Sequence, residues 1–82
     1  NLVISPNPAR DEVLLEFYSA ANQTLHIRLL DVSGRLVQLR EVAVEEGYNK
    51  IKYPISGNSE GLHFIHLENA GFSISKKIML VK

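Results

Sequence analysis

An 82-residue chain supports one small domain, which buries only about 60–65% of the surface its unfolded form exposes. Nine basic side chains balance nine acidic ones, so the chain lacks the electrostatic footprint of a nucleic-acid binder or a polybasic membrane-surface module. It contains no cysteine, which rules out disulfides, thiolate zinc sites and a thiol nucleophile.

Along the chain, apolar residues recur with period two between closely spaced turn residues. Leu2 to Ser5 is a short apolar stretch halted by Pro6-Asn7-Pro8. Neither proline can donate to a ladder, so this segment reads as an edge strand leaving its sheet. Val13, Leu15 and Phe17 then alternate with Leu14, Glu16 and Tyr18, and Ser19 to Asn22 is a connection. The cleanest alternation runs from Thr24 to Asp31, with Leu25, Ile27 and Leu29 on one face of a half-buried strand. Asp31-Val32-Ser33-Gly34 has Asp first and Gly fourth, the pattern of a type I turn.

Leu36 to Val44 is a long strand with less distinct faces, and Glu45-Glu46-Gly47 is the next turn. Ile51, Tyr53 and Ile55 share a face opposite Lys50 and Lys52, and Ser56 to Glu60 is a loop. Leu62 to Glu68 is a strand that Glu68-Asn69-Ala70-Gly71 turns into a last one, Phe72 to Val81. No stretch sustains a helical period. About seven short strands at roughly 8–12-residue spacing predict an all-β, immunoglobulin-like antiparallel β-sandwich in a single domain covering residues 1–82. Because the first residue is Asn1 rather than Met, the chain is expected to be part of a longer polypeptide.

Several segments carry a resemblance. Ser5-Pro6-Asn7-Pro8-Ala9 with Asp11 resembles the Pro-Asn-Pro-Ala opening of type IX secretion C-terminal sorting domains. Leu29 to Val37, centred on Asp31, Gly34 and Arg35, is similar to that family's Asp-x-x-Gly-Arg strand–turn–strand. Gly47-Tyr48-Asn49 resembles its Gly-x-Asn segment, and Gly61-Leu62-His63-Phe64 its Gly-aliphatic-Tyr-Phe segment, with His63 in place of the usual Tyr. Ser75 to Lys82, with Lys76, Lys77 and Lys82, is similar to its closing basic-then-aliphatic strand. Asn58-Ser59 departs from the family at a loop position that often carries Leu.

The resemblance implies an address rather than a catalyst. Such a domain follows a cargo domain, crosses the periplasm and is recognised by the type IX outer-membrane translocon. A sortase-like protease then removes it as the cargo is anchored at the cell surface. The cut is expected at or before Asn1. Lys76, Lys77 and Lys82 have the best claim to direct recognition, and Ile74 to Val81 is a candidate for docking by strand addition or for edge-strand self-association.

No catalytic constellation accompanies these motifs. His63 and His66 fall on opposite faces of one strand and cannot share a metal ion without distorting it. Asp11-Glu12 and Glu45-Glu46 are adjacent pairs that diverge or are solvated, and no nucleophile elbow is present. A chain of this size leaves little room for a pocket of ~300 Å³ or more. No enzyme activity, cofactor or metal is therefore expected. Asp31 and Gly34 are expected to hold the turn, with Arg35 pairing with Asp31 or Asp11. The competing function is a surface adhesion or carbohydrate-binding module, against which Tyr18, Tyr48 and Tyr53 lie scattered over separate segments.

Overall fold

The computed structural model describes residues 2–69 and 71–82. Expectations about a cut at Asn1, and about Ala70 within the Glu68–Gly71 turn, lie outside these residues. Alternating side chains form seven strands among the described residues. They are β1 (Val3–Ser5), β2 (Glu12–Ser19), β3 (Gln23–Asp31), β4 (Leu36–Val44), β5 (Gly47–Pro54), β6 (Gly61–Asn69) and β7 (Phe72–Leu80). They make two antiparallel sheets, ordered β1-β2-β5 and β4-β3-β6-β7.

The inner faces follow from period-two alternation. Val13, Leu15 and Phe17 from one sheet face Leu25, Ile27, Leu29, Ile65 and Leu67 from the other, all buried. Tyr53 and Ile55 close the core, and Ile78 and Leu80 complete it from β7. Burying this contiguous apolar set is the main force holding two otherwise independent sheets together.

Pairing of β2 with β5 and of β3 with β6, strands distant in sequence, gives the Greek-key connectivity of an immunoglobulin-like sandwich. The Glu45-Glu46 turn therefore does not fold β5 back onto β4; it carries the chain from one sheet to the other. Asn49 secures this corner. Its Oδ1 accepts the Glu45 amide at 3.1 Å, and its Nδ2 donates to the carbonyls of Glu45 and Gly47. Asn22 accepts the Glu46 amide at 2.8 Å from the neighbouring connection.

The last strand ends at Leu80, one residue short of expectation. The Val81 amide donates to the Ala9 carbonyl at 2.9 Å, on the side of the chain away from β6.

Candidate functional site

The Pro6-Asn7-Pro8 segment crosses from the edge of one sheet to the edge of the other and lies along β7. Both X–Pro bonds are cis. Ala9 is buried and makes a parallel bridge to Leu80, donating to the Met79 carbonyl at 2.8 Å. Prolines on either side of Asn7 have no N–H to offer, so the Asn7 side chain supplies the bonds instead. Its Oδ1 accepts the Met79 amide at 2.9 Å, and its Nδ2 donates to the Lys77 carbonyl at 3.4 Å. A side-chain amide here mimics a paired strand, which satisfies edge groups that otherwise invite foreign strands.

This finding narrows the docking expectation for Ile74 to Val81. From Lys77 to Val81 the outer edge of β7 is already covered by the chain's own Asn7–Ala9 segment. Lys76 and Lys77 alternate in direction along β7 and are both exposed.

The Asp31 turn stands at the end of the sandwich where β3 meets β4. The Gly34 amide donates to the Asp31 carbonyl at 2.9 Å, and the Asp31 amide donates to the Arg35 carbonyl at 2.9 Å. This is a three-residue hairpin whose third loop position, Gly34, has φ of 87°. Asp31 caps it from within. Its Oδ1 accepts the Ser33 hydroxyl at 2.7 Å, the Arg35 amide at 2.9 Å and the Ser33 amide at 3.0 Å, and its Oδ2 receives Arg35 Nε at 3.0 Å. Donors from the Ser33 hydroxyl, the Arg35 amide and the Ser33 amide, with the Arg35 charge, hold the Asp31 carboxyl down at about 2. Arg35 therefore pairs with Asp31, not Asp11.

Strand register places Gly61 and Lys82 at this same end, since Asp31 is opposite His63 and Gly61 is opposite Leu80. The Lys82 amide donates to Glu60 Oε1 at 3.2 Å. Gly61 has φ of 122°, a left-handed conformation that admits β6 from its loop. Gly47 sits at the opposite end and shares no surface with these residues. The motif residues thus divide into a β7-edge group, an Asp31-end group and an isolated corner at Gly47.

Strand register also brings together groups that are far apart in sequence. Tyr18 and Tyr48 are direct partners on the outer face of β2 and β5, with ring centroids 5.4 Å apart. Both are exposed, and the Tyr48 hydroxyl bonds the Glu16 carboxylate, which raises its pKa. The tyrosines are therefore not all scattered: only Tyr53 stands apart, buried, with its hydroxyl 3.3 Å from the Ile27 carbonyl. An outward phase on both strands was readable in sequence, but their register was not.

An open groove of about 390 Å³ lies at the end near Gly47, lined by Leu2, Phe17, Leu67, Phe72 and Ile74. The expectation of little room for such a pocket is not met: side chains from both sheets line this space without filling it. His63 occupies the core side of β6, with Nδ1 3.0 Å from the Gly61 carbonyl and Nε2 buried without a partner. His66 points the other way, to Ser75 and Glu68.

Comparison with known protein families gives a match over residues 3–82 to the family described as Secretion system C-terminal sorting domain. No curated protein matches the chain.

Proposed function

The chain belongs to the family of secretion system C-terminal sorting domains, the sorting signals of type IX secretion, and on that premise we propose how it serves as an export address. A sorting signal of this type directs export through the outer membrane to the cell surface or the extracellular space. The family is not an enzyme family. In the proposed sequence of events, a cargo domain precedes this one, and the cargo reaches the periplasm by its own leader. The type IX translocon then takes up the folded sandwich. A sortase-like protease cleaves upstream of it and anchors the cargo at the surface.

The observation that carries this reading is a family match spanning residues 3–82, nearly the whole chain. Within it, Pro6, Asn7, Pro8, Lys76 and Lys77 form a continuous exposed edge suited to recognition. Asp31, Gly34, Gly47 and Gly61 serve chiefly to hold turns, while Arg35 and Lys82 display charge at the Asp31 end. The test is a periplasmic reporter carrying residues 1–82 and the native upstream linker, expressed in a bacterium that owns the type IX system. Surface display by this fusion, and its loss on removal of Lys76 to Lys82, is the expected result. Mass spectrometry of the displayed reporter then tests removal: the intact domain still attached would overturn the protease step.

One observation favours the carbohydrate-binding alternative, the exposed Tyr18–Tyr48 pair beside Glu16. Titration of the purified domain with soluble oligosaccharides, using Tyr18→Ala as the control, decides it. Binding that this variant abolishes would add a glycan site; its absence would remove that alternative.

A further inference from the structure

Antiparallel pairing turns the backbone groups of alternate β7 residues toward β6 and those of the others outward. Bonds from Met79 and Val81 to Asn7 and Ala9 identify the odd-numbered residues as the outward set. The N–H and C=O groups of Ser73 and Ser75, and the Lys77 N–H, therefore point away from β6. Among the described residues no strand pairs with that side of β7. The Asn7 hook ends at the Lys77 carbonyl, so the edge is closed downstream of it and open upstream.

The open stretch adjoins the apolar groove, to which Phe72 and Ile74 contribute. Lys76 and Lys77 stand at its downstream end, both exposed and pointing to opposite faces. No acidic residue occurs between Phe72 and Leu80. A second copy of β7 added here would bring four lysines to one seam without a counter-charge, which disfavours self-pairing.

The geometry points to Phe72–Lys77 as a docking edge for an extended acidic segment of the export machinery. That segment adds to β7 as a strand, places an apolar side chain in the groove and sets carboxylates beside Lys76 and Lys77. The Asn7 hook fixes where it must stop. This inference rests on the sorting reading and specifies the surface through which sorting acts.

The test uses the same full-chain reporter. Ser75→Pro deletes an outward N–H while sparing every backbone bond from β7 to β6, and a proline is tolerated at such an edge position. Ser75→Ala keeps that N–H and controls for the hydroxyl, which bonds His66 at 3.0 Å. The double variant Lys76→Glu/Lys77→Glu reverses the charge. Surface display is expected to fall about tenfold or more for Ser75→Pro and for the double variant, and to hold for Ser75→Ala. Thermal melts of the purified domains establish folding; if Ser75→Pro does not fold, the double variant decides alone.

Wild-type display by a folded Ser75→Pro, or by the double variant, overturns the docking edge and leaves the sorting reading standing. A wild-type fusion retained in the periplasm overturns the sorting reading itself. A concentration-dependent dimer that Ser75→Pro abolishes without loss of display assigns the edge to a second copy and overturns the proposal.

Discussion

Asn7 lies 72 residues before Met79 in the chain, yet its side-chain oxygen accepts the Met79 amide at 2.9 Å. A residue between two prolines thereby does for β7 what a neighbouring strand would do. It closes half of a sheet edge, and the other half remains open.

Removing this contact gives the first prediction. Asn7→Ala should cost about 1 kcal/mol, the net worth of exposed hydrogen bonds of this kind. Amide exchange at Met79 should accelerate while Ile65, in the core of β6, stays protected. Asn7→Asp should be no better, since it sets an acceptor against the Lys77 carbonyl. Unchanged exchange at Met79 in both variants would show that the Ala9 bonds hold the edge alone.

Acid should weaken the Asp31 turn. Its carboxyl has a pKa of about 2 in the folded protein, below the ordinary 3.8, because Ser33 and Arg35 donate to the charged form. The stabilisation is complete above the ordinary value. It is lost as pH falls from there through about 2, where the unfolded chain binds the proton first. Melting curves of wild type and Asp31→Asn should converge across that window. A gap that persists at lower pH would place the stabilisation elsewhere.

Gly34 tests backbone geometry separately from charge. At φ of 87° an added Cβ meets nothing within 4 Å, so space is not limiting. Gly34→Ala should still cost about 1–2 kcal/mol through left-handed strain, and Gly34→Asn less. Urea unfolding of the two variants measures the difference, and equal stability would remove strain as the reason for glycine.

Ile27 is fully buried between the sheets. Ile27→Asp should unfold the domain, because an unpaired buried charge costs several kcal/mol against a small total stability. Loss of the cooperative melt by circular dichroism is the expected sign. A mild effect would mean that β3 can flip its faces.

His63 offers a change in the opposite direction. Its Nε2 is buried without a partner, a condition that costs about 1–3 kcal/mol. His63→Leu, close in volume, should be neutral or stabilising by about 1 kcal/mol despite the lost contact with the Gly61 carbonyl. Marked destabilisation in a thermal melt would show that the imidazole earns its place through another bond.

Much of this architecture was legible in the chain. The buried faces of β2, β3 and β5 follow from period two, because successive side chains on a strand point to opposite sides wherever the strand ends up. The Asp31–Gly34 turn is equally local: a carboxylate reaching amides two to four residues on, and a glycine free to take a positive φ, need no distant partner. The motif order likewise sufficed to identify the family.

What depended on distant pairing was not legible. Which sheet each strand joins, the crossing of Glu45-Glu46 between sheets, the meeting of Tyr18 with Tyr48 and the closure of β7 by Asn7 all require a register between strands. Period two is the same in every register that keeps apolar side chains inward, so alternation alone cannot choose a partner. Tertiary packing makes that choice, by joining two apolar faces into one core, and it thereby decided which half of the last strand stays open.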